Sequence, residues 1–182
     1  PCTSFAVTSA KPSEGKSLTA ANIAISYAML GKKVLLIDAD MRKPTQRRLW
    51  RVEKPTGLCD FLAKISKLEL DKVKDLPLWI VCTGTIPPNP SELLSSERMK
   101  HFVEESAKVY DYIIIDTPPI NTVADAQIVS TYVDGVVLVV KSGDTTEDEL
   151  NEAIDAVRRA GGNLCGTVLN DLNMKSVKYA YK

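Results

Sequence analysis

Histidine is almost missing from this sequence: His101 is the single one among 182 residues. The four cysteines, Cys2, Cys59, Cys82 and Cys165, lie far apart and form no C-x-x-C pair. Together these scarcities argue against a zinc site and against nucleophilic chemistry built on a histidine base. The cysteines read instead as buried free thiols of a reducing compartment. Net charge is missing too, because 23 Lys and Arg balance 23 Asp and Glu. A neutral chain has no bulk basic field, so sequence-independent nucleic-acid binding has no support. Long apolar runs are also lacking. The longest spans residues 135–140, far short of the roughly 20 residues that a membrane-spanning helix needs. The chain starts at Pro1 and not at Met, with no signal peptide ahead of it, and so reads as a fragment with sequence missing upstream.

What is present has an ordinary folded composition, 45% hydrophobic and 25% charged, at a length that suits one domain. Strands are predicted over residues 5–8, 34–38, 78–82, 112–116, 136–141 and 164–169. Several are apolar at consecutive positions, as in Val34-Leu35-Leu36-Ile37 and Ile113-Ile114-Ile115. A strand buried on both faces reads this way. Helical patterns alternate with them at 16–30, 96–108, 125–132 and 147–160, with Gly31 and Gly161-Gly162 as stop signals. The alternation implies right-handed crossovers and a doubly wound α/β domain, its mainly parallel sheet flanked by helices. Ile86-Pro87-Pro88-Asn89-Pro90 reads as a rigid loop inside that domain.

The sharpest local signal is Ala10-Lys11-Pro12-Ser13-Glu14-Gly15-Lys16-Ser17, between the first strand and the first long helix. Set against the P-loop pattern G-x-x-x-x-G-K-[ST], only the first glycine is replaced, by Ala10. The chemistry survives that change. Backbone N–H groups of Ser13, Glu14, Gly15, Lys16, Ser17 and Leu18 would surround phosphate oxygens at a helix N-terminus. Lys16 would neutralise the β- and γ-oxygens of ATP, and the Ser17 hydroxyl would ligate Mg²⁺. Asp38 and Asp40 close one apolar strand and Asp116 closes another. Ligands of an open parallel sheet bind at the carboxyl ends of its strands, where all these groups fall.

This combination resembles the catalytic domain of bacterial tyrosine kinases of capsule and exopolysaccharide systems, within the wider MinD/ParA-type group of P-loop ATPases. The resemblance runs from Phe5 to the C-terminus. It is carried by Ile37-Asp38-Ala39-Asp40-Met41-Arg42-Lys43-Pro44, Pro87-Pro88-Asn89-Pro90-Ser91-Glu92-Leu93, Asp116-Thr117-Pro118-Pro119 and Thr122-Val123-Ala124-Asp125-Ala126. It implies that Asp38 acts near the acceptor hydroxyl as base or orienting carboxylate, while Asp40 and Asp116 hold Mg²⁺ directly or through water. It implies that Asn170 contacts adenine, against the plainer reading of a turn-forming asparagine. It also implies a transmembrane adaptor that activates the kinase at the inner face of the cell membrane, and a homo-oligomer in the full-length protein.

In such kinases the phosphoacceptors are tyrosines of a C-terminal tail. Here a tail from about residue 171 offers Tyr179 and Tyr181, as a short cluster of targets or as plain exposed side chains. Tyr110 and Tyr112 read as packing residues. The competing function is a nucleotide-switched assembly ATPase of the MinD/ParA type. Lys11 favours it, standing where that group carries a lysine that reaches a neighbour's phosphates; Pro12-Ser13 in place of Gly-Gly argues against it. Lys11 can also be read as a solvated loop residue.

Overall fold

Neighbouring residues of a strand point to opposite faces, so an unbroken apolar run needs cover on both. A computed structural model of the protein, describing residues 2–172, supplies that cover. In β2 (Val34–Asp38), Val34 and Leu36 share a buried cluster with Ala20, Ala24 and Ala28 of α1 (Lys16–Met29). Leu35 and Ile37 belong to a second cluster with Met99 and Val103 of α5 (Glu97–Ala107) and Ala153 of α7 (Glu147–Arg159). The alanine stripe lets α1 lie close to the strands. Its turn ends at Gly31, which adopts φ +78°.

The sheet has seven strands: β1 (Ser4–Ser9), β2, β3 (Asp71–Lys72), β4 (Leu78–Val81), β5 (Tyr112–Asp116), β6 (Gly135–Lys141) and β7 (Leu164–Asn170). Their order is β3-β4-β2-β5-β1-β6-β7. All neighbours run parallel except the two-residue edge strand β3. This is the expected mainly parallel, doubly wound architecture. The order reverses beside β1, so the loop that follows β1 opens at a topological switch point.

Each helix and strand expected from the sequence is present, with ends moved by a residue or two. Four elements were not expected. These are β3 and the short helices α2 (Gln46–Trp50), α3 (Leu58–Leu62) and α4 (Pro90–Ser95). The two residues of β3 are too few for a strand period, and the five or six of α2, α3 and α4 span little more than one helical turn, so periodicity passes over them. Pro90 is thus the first residue of α4 and not only the end of a rigid loop; proline is well placed there because a first-turn N–H has no helical partner. Ser96 separates α4 from α5, its hydroxyl accepting the Met99 N–H at 3.2 Å. The remaining helix of the described residues is α6 (Asp125–Ser130).

The cysteine expectation needs correcting. Cys59 and Cys82 are buried, but Cys2 is half-buried and Cys165 exposed. These two sulfurs lie 3.6 Å apart, on either side of Gly135, whose missing Cβ makes the approach possible. Among the described residues, edge strand β7 has no neighbour beyond it to bury Cys165. Tyr110 and Tyr112 do pack: Tyr112 stacks on Tyr27 with ring centroids 3.9 Å apart, and Tyr110 meets Trp79 edge-on at 5.5 Å. Among the described residues no helix is long and apolar enough to cross a membrane. Tyr179 and Tyr181 lie outside the described residues.

Candidate active site

Between β1 and α1 the chain folds into a concave loop. Ser13 and Gly15 both take left-handed backbone angles, φ 67° and 89°. Such reversals turn successive N–H groups toward one point and build an anion nest. Glycine is required at 15 for a second reason. A Cβ there would fall 2.0 Å from the amide nitrogen of Asn170. That amide donates to the Glu14 carbonyl at 2.9 Å, so the last residue of β7 braces the phosphate loop. Glu14 is fully buried, and its carboxylate is spent inside the fold, accepting the Lys11 N–H at 2.9 Å and the Thr145 hydroxyl. Leu18, in the first turn of α1, is exposed at the rim.

Lys16 projects into the centre of the site. Its Nζ is 2.8 Å from Asp40 Oδ2, 3.2 Å from the Ser17 hydroxyl and 3.7 Å from Asp116 Oδ1. Burial disfavours the lysine charge, but Asp116 and Asp40 more than offset that cost and raise its pKa above the ordinary value. β2 and β5 pair with Asp38 directly opposite Asp116, so two carboxylates stand side by side with almost no exposure to water. Burial, then repulsion from Asp116, pushes Asp38 up to about 8. Burial also raises Asp116, against the pull of Lys16.

Asp38 Oδ2 accepts the N–H groups of Thr45 (3.1 Å) and Gln46 (2.9 Å), while its Oδ1 has no hydrogen-bond partner. Asp116 repeats the pattern: Oδ2 accepts from Gln46 and Oδ1 is left without a hydrogen bond. Buried oxygens left open among the described residues can take a proton, a water or a bound group. Asp40 completes the set, its Oδ1 taking the Lys43 N–H at 3.0 Å. Among the described residues no three His, Cys, Asp or Glu side chains converge tightly enough to hold a metal ion alone. Mg²⁺ keeps several waters and uses one or two carboxylates together with phosphate oxygens, a donor set that the Ser17 hydroxyl, Asp40 and Asp116 fit.

Gln46 was not singled out from the sequence, since a glutamine opening a short helix normally faces water. Here it is fully buried. Its Nε2 donates to Asp116 (2.8 Å) and to the Ser17 carbonyl (2.9 Å), and its Oε1 accepts from the Trp50 indole at 3.0 Å. A second unforeseen link did leave a trace. Asp125 is fully buried and accepts two hydrogen bonds from Arg42, at 2.9 and 3.1 Å, and one from Ser91 at 2.6 Å. Arg42, Ser91 and Asp125 come from three of the segments that carried the family resemblance. Their meeting ties the loop bearing Asp40 to α4 and α6.

Lys11 is engaged within its own chain. It pairs with Glu149 at 3.0 Å and donates to the Asp144 carbonyl at 2.9 Å. The cleft over the phosphate loop has a volume of about 710 Å³, floored by Ser13, Gly15, Lys16 and Ser17 and walled by Lys43, Pro44, Arg48, Leu49 and Pro119. Such a volume holds a nucleotide-sized ligand.

Residues 3–163 match the model of a family described as an AAA domain. The chain is 45% identical over 181 residues to the tyrosine-protein kinase YwqD of Bacillus subtilis (strain 168), across 98% of this chain and 76% of that protein. It is 38% identical over 178 residues to the tyrosine-protein kinase CpsD of Streptococcus pneumoniae serotype 4, across 96% of this chain and 78% of that one. The solved kinase domain of the Escherichia coli tyrosine kinase ETK matches the fold with a TM-score of 0.91 at 33% identity, over 99% of this chain and 72% of that chain.

Proposed function

The chain belongs to the bacterial tyrosine-protein kinases, and from that premise we propose that it is an enzyme of capsule or exopolysaccharide systems that transfers the γ-phosphoryl group of ATP to protein tyrosines. The observation that carries the reading is Lys16, held between Asp40 and Asp116 at the mouth of the Ser13–Gly15 nest. The backbone of residues 13–18 binds the triphosphate, and Lys16 follows charge onto the β- and γ-oxygens as the bond to the leaving phosphate breaks. Ser17, Asp40 and Asp116 would hold Mg²⁺, which neutralises phosphate charge when bound. Asp38 accepts the tyrosine proton at its free Oδ1 while the phenolic oxygen forms its bond to phosphorus and ADP departs. Asn170 keeps its amide nitrogen on the P-loop and offers its oxygen to the adenine amino group.

We read residues 1–182 as a single kinase domain with a tail from about 171, and Tyr179 and Tyr181 as phosphoacceptors reached in trans in a homo-oligomer. A membrane-spanning adaptor would hold and activate the kinase at the cytoplasmic face, and nucleic acid has no part in the reading. Lys11 meets Glu149 in a partly exposed ion pair, too weak to decide between kinase and assembly switch; the similarity to tyrosine-protein kinases favours the kinase. The test is mass spectrometry after incubation with Mg-ATP and the adaptor segment. Phosphate on Tyr179 or Tyr181 is expected, also on a Lys16→Met chain mixed with active enzyme. ATP hydrolysis without phosphotyrosine would return the switch reading.

A further inference from the structure

The cleft does not end at the phosphate loop. A second cavity of about 450 Å³ adjoins the first, and Pro44 and Arg48 line both. Its walls include Arg47, Gly84 and Ile86 and contain no carboxylate. In the larger cavity the one carboxylate is Asp40, already paired with Lys16. The cations are less committed. Arg42 is spent on Asp125, but Lys43, Arg47 and Arg48 are exposed, and none of them meets a carboxylate among the described residues. Arg47 donates to the carbonyls of Val52 (3.2 Å) and Glu53 (3.1 Å), which hold the guanidinium without cancelling its charge. In a chain with no net charge, three unneutralised cations along one groove are a local excess of one sign.

The groove also has a direction. An acceptor tyrosine must bring its hydroxyl to Asp38, whose carboxylate is held by the N–H groups of Thr45 and Gln46. Thr45 lines the larger cavity together with Arg48 and Leu49 of α2, so residues flanking a tyrosine bound beside Asp38 would pass over α2. The exposed side chains of Leu49 and Ile86 give an aromatic ring and aliphatic stems something to lie against. We propose that Lys43, Arg47 and Arg48 form an acceptor shelf that selects tyrosines flanked by Asp or Glu on other proteins. The chain's own tail is a poorer match, since Tyr179 and Tyr181 are bracketed by Lys178 and Lys182. The inference rests on the kinase reading and names the substrate class for it.

Two peptides of equal length, one with glutamates and one with lysines beside a single tyrosine, test it by steady-state phosphorylation with Mg-ATP. The wild type favours the acidic peptide in kcat/KM by about fivefold or more, the scale of one or two exposed ion pairs. The preference shrinks as salt rises. Arg47→Ala with Arg48→Ala brings the ratio near one, Arg48→Glu moves it toward the lysine peptide, and Arg48→Lys largely keeps it. Melting temperature checks that each variant is folded. Equal use of both peptides by the wild type, or a ratio indifferent to Arg47 and Arg48, would overturn the shelf while leaving the kinase intact. Labelling of neither peptide nor tail would remove the kinase reading and the shelf with it.

Discussion

Lys16 and Arg48 face the same cleft, yet one is buried against two carboxylates and the other is exposed with no ionic partner among the described residues. On the inner wall every charge is desolvated and held by hydrogen bonds from a different element. Removing one member there strands another in a medium of low polarity. On the outer wall the cations are hydrated, and each contributes little on its own. The inner wall can therefore supply rate, through groups already in place when charge moves. The outer wall can supply choice between partners, which needs only small differences in affinity.

The sharpest way to break this contrast is Lys16→Met. Phosphoryl transfer should fall by about 10²- to 10³-fold, the cost of losing one preorganised donor, with the fold retained. Phosphotyrosine yield and circular dichroism would check both halves. Near-wild-type activity would mean that the inner wall does not supply the rate. Asp40→Asn and Asp116→Asn should come next, weakening Mg-dependent ADP binding by at least about tenfold. Asp38→Asn should leave that binding nearly intact and lower turnover instead. If calorimetry finds all three variants binding Mg-ADP normally, the metal assignment is wrong.

Gln46→Leu tests whether a neutral residue belongs to the inner wall. It removes the donor to Asp116 and the partner of the Trp50 indole. Unsatisfied buried groups of this kind cost roughly 1–3 kcal/mol, which should appear as a lower melting temperature. Tryptophan emission should shift as well. An unchanged melting curve would place Gln46 outside the network. A further contrast concerns pH. Without metal or nucleotide, the Asp38 carboxyl binds its proton far more tightly folded than unfolded. Its contribution to stability is complete below the ordinary carboxylate value of 3.8 and is lost as pH climbs toward about 8. Asp38→Asn does not titrate, so its melting temperature should gain on the wild type between pH 5 and pH 8. A difference that stays constant with pH would contradict the raised pKa.

Most of the inner wall was legible before the fold was seen. Gly15-Lys16-Ser17 at the start of a helix, and carboxylates closing apolar strands, are local patterns with a chemical reason. Gln46, Ser91 and Asp125 were not legible as site residues. Their burial depends on elements distant in the chain: Gln46 donates across 70 positions to Asp116, and Arg42 reaches 83 positions to Asp125. The outer wall was missed for another reason. Arg47 and Arg48 sit on a five-residue helix too short to show a period, and paired arginines usually mark nothing but a solvated surface.

By itself the sequence determined that strands such as Val34-Leu35-Leu36-Ile37 must be covered on both faces, and that the phosphate loop and three aspartates lie at the carboxyl ends of strands. Those conclusions rest on the two-residue period of a strand, a property of neighbours in the chain. Only the tertiary structure decided which strands stand together. Pairing β2 with β5 sets Asp38 opposite Asp116, and pairing β6 with β7 brings Asn170 to the phosphate loop. Registers between strands about 30 or about 80 residues apart in the chain leave no mark in local periodicity. They follow from packing the whole core at once, and from that packing come the shared proton affinity of two buried carboxylates and the shape of the cleft beside them.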